Sequence, residues 1–118
     1  MAKNDLSDRL LDLSAEVIQI VGRLRKTAAG RHIGNQLIRS GTSAGANYEE
    51  ACAAESRADF IHKLQIVLKE VRECNYWLRL VAKTKLLPNN DRCLIALIQE
   101  SMELTNIMAK SIVTAKRS

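Results

Sequence analysis

At 118 residues, 47% apolar, with one Pro, five Gly and 3% aromatics, the chain suits one helical core of Leu, Ile, Val, Ala and Met. No charge-free apolar run approaches the ~18 residues of a membrane span, and the opening MAKNDLSDRL lacks the apolar stretch of a secretory signal. A formal net charge of +5 permits a polyanionic partner and, being modest, equally suits solvated helix faces.

Leu6, Leu10, Leu13, Val17, Ile20 and Leu24 recur at intervals of four and three, which predicts a first helix. Asn4 and Asp5 stand before it as caps, with negative charge at the positive helix end. Gly30, after the basic Arg23, Arg25 and Lys26, reads as the C-terminal stop. A second helix is then expected from Arg31 to Ala54.

That second helix contains RSGTSAGANYEEA, residues 39–51, whose residue types usually mark loops. A phosphate-binding loop would need a Lys after the glycines and a preceding strand, and neither is present. Helical spacing instead continues through Ile33, Leu37, Ser40 or Gly41, Ala44, Tyr48 and Ala51, with Gly41 and Gly45 four apart. Gly inside a helix costs about 1 kcal/mol relative to Ala. A seam of small side chains offsets that cost by letting another backbone approach. Gln36, Arg39, Ser43, Asn47 and Glu50 form a polar stripe on the same helix, expected to hydrogen-bond across helices. Glu70 and Glu73 are the candidate acceptors for Arg39, and a solvated face is the plain alternative.

Ser56-Arg-Ala-Asp59 fits a capping box in its Asp form and opens a third helix running to about Thr84. Phe60, Leu64, Val67, Val71, Cys74, Leu78 and Val81 repeat the four-three spacing, and Ile61, Leu68, Trp77 and Leu80 widen the stripe. Pro88 halts this helix and Asn89, Asn90 or Asp91 caps the next. The fourth carries Leu94, Leu97, Ile98, Leu104, Ile107, Met108 and Ile112. Short connections predict an all-α, antiparallel up-down four-helix bundle filling a single domain, residues 1–118.

Catalytic chemistry finds little support. His32 and His62 are the only imidazoles, and no spacing brings either to Ser43, Asp59 or a cysteine as base to nucleophile. A di-metal bundle needs repeated Glu-x-x-His, whereas the nearest match is a single Asp59-x-x-His62. Cys52, Cys74 and Cys93 are odd in number, lack C-x-x-C spacing and fit core positions as small hydrophobes. The expectation is a cytoplasmic protein that is no enzyme, with no catalytic residue, metal or cofactor.

Charge distribution says more than its sum. No acid falls between Val17 and Asn47, where Arg23, Arg25, Lys26, Arg31 and Arg39 all lie. Lys63, Lys69, Arg72, Arg79, Lys83 and Lys85 form a second basic group, and Lys110, Lys116 and Arg117 a third. Arg23, Arg25, Lys26, Arg31, Lys63, Lys83 and Lys85 are the candidate phosphate contacts of a nucleic-acid-binding module. So few aromatics make binding electrostatic and salt-sensitive rather than stacking-driven. The alternative is an adaptor for a protein partner such as a polymerase, with Tyr48, Tyr76 and Trp77 as anchors.

QLIRSGTSAGANYEEA at 36–51 and FIHKLQIVLKEVRECNYWLRL at 60–80 resemble the bacterial four-helix-bundle family encoded in intervening sequences of 23S ribosomal RNA genes, some of whose members carry a ribosomal-protein-like label. The matching positions are Gln36, Arg39, Ser40, Ser43, Asn47, Glu50, Phe60, Lys69, Glu70, Glu73, Tyr76, Trp77 and Leu78. Ala44 stands where a larger aliphatic is usual, and Ala51 where Gly is frequent. The family is similar to the accessory variability determinant of diversity-generating retroelements, a basic pentameric barrel binding reverse transcriptase and nucleic acid. The resemblance therefore implies a cyclic homopentamer; from the residues themselves, the expected partners are RNA, DNA or a protein, with no membrane role.

Overall fold

The computed structural model describes residues 5–117, and these form four helices: α1 Asp5–Val21, α2 Ala28–Cys52, α3 Arg57–Thr84 and α4 Arg92–Arg117. Side-chain pairs run in opposite senses along each neighbouring pair. Ser7 meets Glu49 and Ser14 meets Gly41 between α1 and α2. His32 lies against Trp77, and Arg39 reaches Glu70, between α2 and α3. Arg57 reaches Ala115, and Asn75 reaches Ser101, between α3 and α4. Arg9 meets Glu100 and Arg23 meets Asp91, returning α4 to α1. The result is the expected up-down bundle, closed into a ring of four and measuring 46 × 26 × 21 Å.

The periodic stripes supply the core. Leu10, Leu13, Val17 and Ile20 of α1 are buried, as are Leu64, Val67, Val71, Cys74, Leu78 and Val81 of α3. Each fully buried Leu or Val contributes about 1.5–3 kcal/mol. On α2 the small-residue stretch is helical throughout, and Leu37, Ser40, Gly41 and Ala44 are buried within it. Gly34, Gly41 and Gly45 face α1. A Cβ on Gly41 would lie 3.0 Å from Val17 Cγ1, and one on Gly34 3.0 Å from Val21 Cγ1. The seam is thus a close approach of α1 side chains to the α2 backbone.

Element boundaries differ in two places. Gly30 does not end the first helix, which stops at Val21; it lies in the first turn of α2, capped by the Thr27 hydroxyl accepting from Gly30 N at 3.0 Å. The reason is steric, since a Cβ there would come within 2.0 Å of the Arg25 carbonyl oxygen. The α2 helix correspondingly runs from Ala28 to Cys52 rather than from Arg31 to Ala54. Nor does Pro88 halt α3. The helix ends at Thr84 with Lys85 left-handed (φ 59°), and Leu86 N returns to Val81 O at 3.2 Å. Ser56 caps α3 as predicted, accepting from Asp59 N at 3.0 Å, and Asp91 caps α4. Asp5 begins α1 itself, and Asn4 lies outside the described residues.

Candidate nucleic-acid interface

Alternating helix direction brings the connections at residues 22–27 and 85–91 to one end of the bundle. Buried Leu24 anchors the first connection, and buried Leu86 and Leu87 anchor the second. The same end therefore collects Arg23, Arg25, Lys26 and Arg31 from one stretch of chain and Lys83, Lys85 and Arg92 from another, all exposed. Arg25, Lys26 and Arg31 rim an open concavity of about 320 Å³ floored by Val21, Leu24, Gly30 and Gly34.

Asp91 is the one carboxylate in these two connections. It pairs with Arg23 and accepts from Leu94 N at 3.0 Å. The Arg23 guanidinium and the backbone N–H groups hold its carboxyl below the usual aspartate value. Arg23 is thereby engaged within the protein, while Arg25, Lys26, Arg31, Lys83 and Lys85 face solvent. Lys63, expected among the phosphate contacts, lies near the start of α3 at the opposite end and is separated from this group.

The second cluster links α2 to α3. Arg39 Nη1 donates to Glu70 Oε1 at 3.1 Å, Nη2 pairs with Glu73, and Nε reaches Gln36 Oε1 at 3.4 Å. Trp77 Nε1 also donates to Glu73 Oε2, at 3.1 Å. These donors hold the Glu73 carboxyl below its ordinary value, Arg39 being the larger cause. Trp77 is half-buried, with its ring edge-on to both His32 and Tyr76. Ser43 and Asn47 depart from expectation: Asn47 Nδ2 donates to Ser43 O and Oγ at 2.9 and 3.1 Å, within one helix. Two polar groups four apart on one helix reach each other more readily than they reach α3. Glu50, one turn on, is exposed.

Of the cysteines, Cys74 alone takes a core position, and burial pushes its thiol up to about 12. Cys52 and Cys93 are exposed because they fall beside the buried stripes of α2 and α4. Two polar clusters were not anticipated. Asn75 Nδ2 donates to Ser101 Oγ at 2.9 Å and to Ile98 O at 3.1 Å, while Arg79 Nε donates to Asn75 Oδ1 at 2.8 Å. Arg9 forks onto Glu100 at 2.7 and 2.8 Å and reaches Glu103 at 3.0 Å. A gap in the α4 stripe between Leu97 and Leu104, filled by Ser101, was the available signal for the first. Partners 91 and 94 residues apart left no signal for the second. Among the described residues, no three His, Cys, Asp or Glu side chains gather as a metal site, and no helix is long and apolar enough to cross a membrane.

Residues 3–110 match the model of the 23S rRNA-intervening sequence protein family. Among solved structures, the chain is similar to a protein of unknown function from the S23 ribosomal protein family of Bacteroides thetaiotaomicron. The two share 34% identity and a TM-score of 0.81, over 91% of this chain and 97% of that one. No curated protein matches. With a family match across nearly the whole chain and a shared bundle at that identity, the protein belongs to the 23S rRNA-intervening sequence protein family.

Proposed function

We propose that this protein is a non-catalytic helical-bundle module that binds nucleic acid, structured RNA or an RNA/DNA duplex, through the basic end of its bundle. One observation carries the reading: Arg25, Lys26, Arg31, Lys83 and Lys85 converge there from two distant stretches of chain, and the only carboxylate in the connections is already paired. Each cation neutralising a phosphate releases condensed counterions, so affinity falls steeply with salt. With 3% aromatics, stacking adds little.

Fluorescence anisotropy with a labelled structured RNA, titrated at several salt concentrations, tests this. The protein is expected to bind saturably at low salt. Arg25→Glu/Lys26→Glu/Arg31→Glu should weaken binding by roughly tenfold or more and flatten the log–log salt slope by about 2 to 3. Lys63→Glu, at the opposite end, should change affinity less than about twofold, since the Debye length at 0.1 M salt is about 10 Å. Absence of saturable binding at low salt, or equal losses from both variants, overturns the reading.

A further inference from the structure

The outer face of α3, opposite its buried stripe, carries Lys69, Arg72, Tyr76, Arg79 and Lys83. Intervals of three, four, three and four put these residues on one line, about 21 Å long at about 1.5 Å per residue. All of them are exposed, and Tyr76, at 50%, is the one aromatic among them. Lys83 belongs also to the basic end of the bundle, so the line leads away from that end along the helix.

No carboxylate neutralises the line. From Phe60 to Asn90 the chain holds two, Glu70 and Glu73, and Arg39 draws both towards α2. On α4, the next helix round, Glu100 and Glu103 are taken by Arg9. Lys69 lies within the field of Glu73. Among the described residues no carboxylate pairs with Arg72, Arg79 or Lys83.

Tyr76 is also braced. Trp77 meets it edge-on, the ring centroids 5.2 Å apart, and is itself fixed by donating from Nε1 to Glu73. The Arg79 guanidinium stands 6.0 Å from the Tyr76 ring centroid, at the outer limit of a cation–π contact, and its Nε donates to Asn75. An exposed ring held in this way loses little freedom when a partner stacks on it.

Building on the nucleic-acid reading of the basic end, we propose that this line is the track of an unpaired strand leaving the duplex held there. Its phosphates pass Lys83, Arg79 and Arg72, and one base stacks on Tyr76. A nucleotide supplies both things the surface lacks, an anion for the cations and a flat ring for the tyrosine. An apolar protein anchor on Tyr76 would instead strip water from the surrounding guanidinium and ammonium groups without pairing them, which is costly. Stacking is confined to this one ring. Affinity therefore stays chiefly electrostatic, while Tyr76 selects ligands with an unpaired base.

Fluorescence anisotropy with three labelled RNAs tests this: a blunt hairpin, the same hairpin with an unpaired tail of about six nucleotides, and one whose tail is abasic. The native protein is expected to bind the ordinary tail most tightly, about fivefold over the abasic tail with the same phosphates, and the blunt hairpin least. Tyr76→Ala should erase the difference between the two tails and leave the blunt hairpin within about twofold of its native affinity. Tyr76→Phe, which keeps the ring, should keep the difference. Arg72→Glu should weaken both tailed RNAs alike and the blunt hairpin little, being more than a Debye length of about 10 Å from Lys83. Tyr76→Leu replaces Tyr76→Ala if the latter loses its helical circular dichroism or cooperative melt. Equal affinity for the two tails, or a Tyr76→Ala protein that still tells them apart, overturns the proposal and leaves Tyr76 to a protein partner. Binding of none of the three at low salt overturns the nucleic-acid reading and this proposal with it, so the two failures are distinct.

Discussion

The α2 helix meets its two neighbours by opposite chemistries. Towards α1 it offers Gly34, Gly41 and Gly45, and Val21, Val17 and Leu10 rest directly on its backbone. Towards α3 it extends Arg39, whose guanidinium lies half in solvent while gripping the buried Glu70 and the half-buried Glu73. The first contact is set by size, and over Gly41 it is closed to added volume. The second is set by charge, so it is titratable and partly screened by water. One helix thus has a steric seam and an electrostatic one, and perturbations should separate them.

The sharpest break is Gly41→Leu. Its Cβ would already lie 3.0, 3.1 and 3.2 Å from Val17 Cγ1, Cγ2 and Cβ, and Val17 is wholly buried. The rest of the leucine has no space beyond it. Overpacking of this kind costs typically 1–3 kcal/mol and occasionally more. The gain in helix propensity over Gly, about 1 kcal/mol, recovers only part. With the cost at the top of that range, a net loss of about 2 kcal/mol is expected, a fall of about 8 °C in a thermal melt. Adding Val17→Ala to this variant should restore part of the loss, since the two positions share one space. A Gly41→Leu protein as stable as its parent would mean that α1 and α2 do not approach this closely.

On the charged side the expected effect is smaller and depends on pH. Arg39→Ala leaves Glu70, 8% exposed, without its cation. Breaking a fully buried pair costs about 3–5 kcal/mol. Arg39 is 47% exposed, and solvent screening brings the expected loss to about 1–2 kcal/mol at neutral pH. Glu73 adds the pH term. Its folded carboxyl titrates below the ordinary 4.5, so the unfolded chain takes up the proton first as acid is added. The stability it contributes is complete above about pH 5 and is lost as pH falls through the folded value. Glu73→Gln should therefore lower stability at pH 7, and its denaturation midpoints should converge with the parent's as pH falls through the folded Glu73 value. Parallel pH curves for the two proteins would remove Glu73 from the acid response.

Much of this division is legible in the amino-acid sequence, and for a physical reason. Periodicity reports which face of a helix is buried, and the stripes of α1, α3 and α4 predicted Leu10, Val71 and Leu104 in the core. The Arg39–Glu70–Glu73 clasp was readable because two adjacent helices meet once and carry opposite charges there. Other features depend on how chain ends come together. Gly30 looked like a helix stop, yet its role is to clear the Arg25 carbonyl. Lys63 looked equivalent to Lys83, yet twenty residues of helix, about 30 Å of rise, carry it to the other end. The Arg9–Glu100–Glu103 fork joins the first helix to the last, a distance no local pattern encodes.

The smallest expected effect has the opposite sign and returns to the steric seam. Gly45 belongs to the same row as Gly41, yet a Cβ there would meet Leu10 Cβ and O at 3.5 Å, ordinary van der Waals contact. Gly45→Ala removes a helix-interior glycine, worth about 1 kcal/mol in propensity, and adds a methyl contact without strain. It should raise stability by about 0.5–1 kcal/mol, some 2–4 °C in the melt. Gly41 and Gly45 would then respond oppositely although they are four residues apart and face the same neighbour. Such a result would show that α1 diverges from α2 along the seam, tightest over Val17 and looser towards Leu10. That looser end lies beside the groove lined by Leu11, Ser14, Thr42 and Ala46. If Gly45→Ala instead lowers stability, Leu10 lies closer to α2 than 3.5 Å allows, and the divergence is absent.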